Sequence, residues 1–291
     1  MFFYKSDHFY DELIREDCPA MDLSVNLLGV GDYAGRLVCS PKHSLVLSGV
    51  EESVAIWEKC GARVKCSVKN GDRLAAGQEF MWVRGTASQL HRALKITQNL
   101  MEYMSGISTR TASMLARARE VNPSVQVAVT RKNFPGAKIQ CLEAALSGGA
   151  VVHRLHLSDS VLFFDQHRIF LDGADGSPAK ALKEFAKRVP DLQKRLPERK
   201  LCAEIDTPEE AFILAEAGLD IIQCEKFSCD DLRRTVEKIK AINPRIVVVA
   251  AGGVNGDNVG SYAATGVDSL VTSWVYFGKP ADIKVIVERE G

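Results

Sequence analysis

From residue 124 onward the chain alternates strand-like and helix-like segments with short connections, and this rhythm limits the fold more than any other feature. VQVAVT reads as a strand, KIQCLEAALSGG as a helix closed by glycines, and SVLFFDQHRIFL as strand-like. SPAKALKEFAKRV, PEEAFILAEAG, SCDDLRRTVEKIKAI and NGDNVGSYAATG read as helices, interleaved with the strands KLCAEID, DIIQCEKF, RIVVVAAGG and DSLVTSW. Strands that are apolar nearly throughout are buried on both faces, as in a parallel sheet covered by helices. About six or seven such units over roughly 150 residues, without the glycine fingerprint of a dinucleotide fold, predict a closed α/β barrel rather than an open sheet.

The preceding part reads differently. RLVCS, LVLSGV, ARVKCSV and QEFMWVRG are short strands separated by turn signals such as Asn70-Gly71-Asp72. SGVEESVAIWEKCG is an amphipathic helix stopped at Gly61, and residues 7–17 predict a short helix ending before Cys18-Pro19. This half predicts a small α/β sandwich. An apolar stripe of Leu90, Leu94, Ile96, Leu100, Met101 and Met104 predicts a long helix from about Ser88, broken at Ser105-Gly106 and resumed through Arg119. The expected division is an N-terminal sandwich with its linking helix (1–110), an α/β barrel (111–273), and a C-terminal tail (274–291) packing back on the N-terminal domain.

Composition narrows the partners. The 37 Lys+Arg against 37 Asp+Glu leave no net charge, which argues against nucleic-acid binding by bulk attraction. No apolar run approaches the ~18 residues of a membrane span. The start, MFFYKSDHFYDELIRED, puts acids where a signal peptide carries its apolar stretch, so a cytoplasmic protein is expected. The eight cysteines contain no CxxC pair and read as free, buried thiols.

Functional residues of α/β barrels sit at the carboxyl ends of strands, which selects candidates. Gly252-Gly253 after RIVVVAA offers bare backbone N–H groups ahead of a helix, a phosphate cradle or simply a tight turn. Arg131-Lys132 after VQVAVT, held by the rigid Asn133-Phe134-Pro135-Gly136 turn, suit an anion or a solvated surface pair, and His153-Arg154 add donors. His153, His156 and His167 also fit a zinc reading, which no nearby cysteine supports. Glu204 and Glu225 are strand-end acids, costly to bury unless they meet a cation or a hydroxyl donor. Magnesium with a ribose phosphate supplies both; pairing with neighbours such as Lys226 is the structural alternative. A Schiff-base aldolase using Lys132 or Lys226 is a further alternative. Cations, acids and cradle together suit a phosphorylated sugar donor and an anionic acceptor.

Five ordered motifs over most of the chain resemble the quinolinate phosphoribosyltransferase (nicotinate-nucleotide pyrophosphorylase) family: LIREDCPAMDLS and NLMEYMSGIST, then TRKNFPG, GGAVVHRLHLSDSVLFFDQH, and the series AEIDTPEEA, GLDIIQCEKFS and AAGGVNGDNVGSYAATGVD. TRKNFPG and QNLMEYMSGIST are similar to the ModD-type branch associated with molybdenum utilisation. The resemblance implies an N-terminal α/β sandwich plus an open α/β barrel. It also implies a homodimer with shared active sites, or a higher assembly built from it. It implies transfer of phosphoribosyl from 5-phosphoribosyl 1-pyrophosphate to a heteroaromatic acid, NAD-biosynthesis-like, with Mg2+ accompanying the donor. It assigns Arg131, Lys132, His153 and Arg154 to the acceptor's carboxylates, with Lys132 also reaching the donor. Glu204 and Glu225 go to the ribose hydroxyls and magnesium, directly or through water. Gly252 and Gly253 go to the 5-phosphate, flanked by Ala251 and Ser273. Lys95 stands where the family contributes an arginine from the neighbouring subunit. Other departures are Phe164 for a lysine, Glu225 for an aspartate, Ala251 for a serine and Ser273 for a glycine. Phe164 makes part of the acceptor pocket apolar, so the donor half is expected to be better kept than the acceptor half. A non-catalytic protein binding an anion or phosphorylated metabolite in molybdenum handling is the rival reading.

Overall fold

The computed structural model describes residues 3–290. Contacts divide the chain into two units. The first comprises the chain up to Ala112 with Phe134–Gly149 and Val275 onward; the second comprises Ser113–Asn133 and Ala150–Trp274. Residues 134–149, assigned by the sequence rhythm to the barrel, group with the first unit.

The chain begins with α1 (Asp7–Asp17) and α2 (Leu23–Leu28). β1 (Ala34–Pro41), β2 (Leu45–Val46), α3 (Val50–Lys59), β3 (Arg63–Cys66), β4 (Arg73–Leu74) and β5 (Met81–Thr86) follow, then α4 (Ala87–Val121). Next come β6 (Gln126–Val129), α5 (Lys138–Ser147), β7 (Val151–Val152), β8 (Val161–Phe163), α6 (Asp165–Arg168) and α7 (Pro178–Arg195). The chain continues through β9 (Leu201–Ile205), α8 (Pro208–Glu216), β10 (Ile221–Glu225), α9 (Cys229–Ile242), β11 (Val247–Ala251), α10 (Val259–Ala263), β12 (Ser269–Thr272) and β13 (Ile283–Arg289).

In the first unit an antiparallel sheet runs β13-β1-β5-β3, with β2 and β4 paired beside it. The C-terminal strand β13 thus lies against β1, with Leu37 opposite Val287. The two-residue period of β1 turns Leu37 and Cys39 inward. They meet Ile56 and Trp57 of α3 and Leu90, Ala93 and Met101 of α4, all essentially unexposed. Each such large side chain stabilises the fold by about 1.5–3 kcal/mol.

The expected break at Ser105-Gly106 does not occur: α4 is one continuous helix. Glycine disfavours a helix interior by only about 1 kcal/mol, and close packing overrides that. A Cβ on Gly106 would stand 2.9 Å from the Lys279 carbonyl oxygen and 3.0 Å from Pro280 Cα. Ser105 Oγ accepts a hydrogen bond from Ser48 N at 3.0 Å. The small residues are there to admit neighbouring backbone.

The same unit buries an ionic cluster. Lys5 Nζ lies 2.6 Å from both Glu52 Oε1 and Glu143 Oε2, with all three side chains nearly unexposed. One ammonium cannot neutralise two carboxylates, and burial pushes the Glu143 carboxyl up to about 7. An acid held above its unfolded value keeps more protons in the fold, so its stabilising contribution falls as pH rises from about 4.5 toward 7. Lys5→Met is therefore expected to destabilise the protein by about 3 kcal/mol or more at pH 8. The loss should be clearly smaller at pH 5.5, where protons on the glutamates replace the ammonium. Denaturant melts of both proteins at the two pH values check this; equal losses would contradict it.

In the second unit seven parallel strands run in the order β7-β6-β12-β11-β10-β9-β8. Strands β7 and β8 are the two edges and no ladder joins them, so the barrel is open rather than closed. The segment joining them carries no helix, and no βα unit exists there to close the ring. Inside, Ala128, Val249, Ala251 and Val271 form an apolar layer with Ile221 and Val247. Three local expectations need correction. SVLFFDQHRIFL is strand only at Val161–Phe163, because Asp165 pairs with buried Arg168 across the single turn of α6. The helix expected to end before Pro190 runs on to Arg195, since proline removes one backbone donor but keeps a helical φ. Finally, residues 254–258 form a loop between the glycine pair and α10. Among the described residues no helix is long and apolar enough to cross a membrane, and all eight cysteines are free.

Candidate active site

The carboxyl ends of β6, β9, β10, β11 and β12, with the segment after β7 and the start of α6, enclose a cavity of about 730 Å³. Into it come Arg131, Lys132, His153, Arg154, Phe164, Glu204, Glu225, Ala251, Gly252, Gly253 and Ser273. Lys95 is the exception. It is exposed on α4 in the other unit, where its Nζ donates to Gln98 Oε1 at 2.9 Å.

Arg131, Lys132 and Arg154 make no salt bridge among the described residues. Lys132 is pinned at its backbone, its N–H donating to Thr130 Oγ1 at 3.1 Å. The Arg154 guanidinium lies 5.8 Å from the centre of the Phe164 ring, within cation–π range. Phe164 in turn stacks on His167 at 5.6 Å, and its N–H donates to His167 Nδ1 at 2.9 Å. With Leu162 beside it, Phe164 makes one side of the cavity an apolar wall. His153 follows β7, its N–H donating to the Val129 carbonyl at 3.1 Å. Burial first, then the charge of Arg154, lowers its imidazole pKa below the ordinary 6.5, so the ring is neutral at neutral pH.

Glu204 and Glu225 end adjacent strands. Gln223 Nε2 donates to Glu204 Oε2 at 2.6 Å. Burial first, then the charge of Glu225, raises the Glu204 carboxyl; Gln223 and Lys132 act against this. Lys226 stays exposed, its Nζ 3.9 Å from Glu225 Oε1. Among the described residues no group of three or more His, Cys, Asp or Glu is placed to hold a metal, so His153, His156 and His167 do not form a zinc site.

The glycine pair is a loop of consecutive positive φ rather than the start of a helix. Gly252 has φ +79°, and a Cβ there would stand 2.6 Å from Glu225 Oε1. Only glycine lets the loop lie against that carboxylate. Gly253 has φ +81° and open space where its Cβ would point. Asn255 and Asn258 fix the loop by donating to the Gly253 carbonyl at 3.2 and 3.0 Å, and Thr272 Oγ1 donates to the Val254 carbonyl at 2.7 Å.

Sequence reading missed Gln223, Leu162, Thr272 and Trp274, which also line the cavity. Gln223 was detectable. It lies two residues before Glu225 on a strand, hence on the same face, and is the one amide in an apolar run. The others carry no chemical signal in the sequence.

A parallel barrel whose strand ends gather unpaired cations, two carboxylates and a glycine loop is a receptor for an anionic, hydroxyl-bearing ligand, of the kind phosphosugar enzymes use. The chain belongs to the quinolinate phosphoribosyl transferase family: residues 22–105 match the family's N-terminal domain and residues 107–285 its C-terminal domain. It is a phosphoribosyltransferase of that family. It is 37% identical over 248 residues to the "Putative pyrophosphorylase ModD" of Rhodobacter capsulatus, covering 84% of this chain and 91% of that protein. It is 30% identical to the protein of the same name from Pasteurella multocida (strain Pm70), over 99% of both chains. The human "Nicotinate-nucleotide pyrophosphorylase [carboxylating]" is 28% identical over 93% of this chain and 87% of its own. The crystal structure of NadC from Streptococcus pyogenes shares the fold over the whole of both chains, with a TM-score of 0.86 at 20% identity.

Gly252→Ala is expected to push the Glu225 carboxylate from its place and to weaken donor binding roughly tenfold or more, equivalent to about 1.4 kcal/mol. Calorimetric titration with Mg2+ and phosphoribosyl pyrophosphate measures this; unchanged affinity would contradict the packing described here.

Proposed function

We propose that this protein transfers phosphoribosyl from 5-phosphoribosyl 1-pyrophosphate to a planar heteroaromatic acid. The observation that carries the reading is the meeting of Glu204, Glu225, Lys132 and Gly253 around one cavity. Gly252 and Gly253, flanked by Ala251 and Ser273, offer backbone N–H groups to the 5-phosphate. Glu204 and Glu225 accept hydrogen bonds from the ribose hydroxyls. The two acids fit a magnesium ion that arrives on the donor, because magnesium takes one or two carboxylates together with phosphate oxygens. Bound there, it would neutralise the leaving pyrophosphate.

An acceptor nitrogen attacks C1 of the ribose while the bond from C1 to the pyrophosphate oxygen breaks and its electron pair leaves with pyrophosphate. Charge on the oxocarbenium-like ribose is balanced by Glu204 and Glu225, and charge on the anions by Arg131 and Lys132. No covalent nucleophile is required; the chain's work is to hold the partners in line. Arg131, His153 and Arg154 receive the acceptor's carboxylate, with its ring beside Phe164. If the acceptor is quinolinate, the product loses carbon dioxide, the electron pair of the broken bond stays on the ring carbon, and that carbon takes up a proton from solvent.

The resemblance of TRKNFPG and QNLMEYMSGIST to the ModD-type branch, a name the bacterial relatives also carry, supports a link to molybdenum utilisation. Assembly as a cytoplasmic homodimer, or a multiple of it, with Lys95 completing the partner's site, belongs to the same proposal.

Wild-type protein titrated with Mg2+ and phosphoribosyl pyrophosphate is expected to give a saturable heat signal, and heteroaromatic carboxylates should then release pyrophosphate. A flat titration contradicts the reading. Phe164→Lys adds an ammonium to the apolar wall and should improve kcat/KM for dicarboxylates over monocarboxylates by roughly tenfold, a contact energy of about 1.5 kcal/mol. Competition assays between the two acceptor classes measure it.

A further inference from the structure

Gln223 is a buried amide on a strand whose neighbouring positions are mostly apolar. It sits in the middle of β10, only 4% exposed, in register with Glu204 on one side and Val249 on the other. Its Nε2 donates to Glu204 Oε2 at 2.6 Å. A carboxylate can only accept, so the nitrogen end of the amide must face Glu204. The oxygen end is buried and faces the His153 imidazole, whose proton it helps to keep, but it makes no hydrogen bond of good geometry. A buried carbonyl oxygen so weakly satisfied costs stability, and a side chain such as methionine would fill the same space without that cost. The amide therefore does something that packing does not require.

The neighbours show what. Glu204 and Glu225 end adjacent strands on the same face and carry like charges, and Gln223 lies two residues before Glu225 on that face. Left alone, the Glu204 side chain would turn away from Glu225 or take up a proton. A short hydrogen bond from the neighbouring strand, at the same level of the sheet, fixes its direction.

We propose that Gln223 is a positioning residue of the donor site, holding the Glu204 carboxylate oriented beside Glu225 so that both can receive the ribose of the donor. This rests on the phosphoribosyltransferase reading above.

The test pairs Gln223→Met with Glu204→Gln and the double variant. Donor binding is read by calorimetry with Mg2+ and phosphoribosyl pyrophosphate, and folding by thermal unfolding. Gln223→Met should weaken donor binding at least tenfold while its Tm stays level or rises. In the Glu204→Gln background the same change should cost less than threefold, because it acts through Glu204. Wild-type affinity in Gln223→Met overturns the proposal, as does an equal loss in both backgrounds. A lowered Tm accompanying lost binding would make Gln223 merely structural and also overturns it. A wild-type protein that gives no heat removes the transferase reading itself, and the proposal with it. Gln223→Leu, measured in parallel, guards against an effect particular to methionine.

Discussion

Glu204 and Glu225 come together at the ends of adjacent parallel strands, one step apart in register, and the residues around them serve to hold them there. Burial first, and then the charge of Glu225, raises the Glu204 carboxyl, and donors and cations act to hold it charged. Gln223 supplies a hydrogen bond from within the lumen and Lys132 a cation from the segment after β6. Gly252 supplies nothing but room: its missing side chain lets the loop after β11 pass against the Glu225 carboxylate. Acids, amide and glycine thus form one unit rather than separate motifs.

The open barrel explains why that unit has space around it. The sheet is not closed between β7 and β8, and the residues that follow or bound this gap, His153, Arg154 and Phe164, all turn into the cavity. A further βα unit there would close the side of the cavity that these residues line. The pairing of Arg154 with the Phe164 ring gives the pocket an aromatic wall topped by one guanidinium. Such a surface matches a flat ring bearing a carboxylate.

The architecture was largely legible in the sequence. Strand and helix periods placed most βα units, and the rule that barrel chemistry sits at strand ends selected the cavity's cations, acids and glycine pair before any distance was known, with Phe164 and Ser273 added by family resemblance. What failed to show has physical reasons. Ser105-Gly106 looks like a break because local preference is readable, whereas the Lys279–Pro280 backbone pressing on Gly106 is not. Pro190 looks like a stop for the same reason. Barrel closure depends on whether the edge strands meet, which no single segment encodes. Gln223 was hidden by its apolar strand, although the period of two points to it. Lys95 was found by resemblance alone, and it belongs to the first unit, on α4.

The account stands most directly on where the donor binds. A crystal structure of the protein with Mg2+ and a non-reactive analogue of phosphoribosyl pyrophosphate measures it. The 5-phosphate should rest on the Gly252-Gly253 loop, with the ribose hydroxyls within hydrogen-bond distance of Glu204 and Glu225. A sugar phosphate bound with its ribose facing the Phe164 wall, or elsewhere on the molecule, would contradict the account.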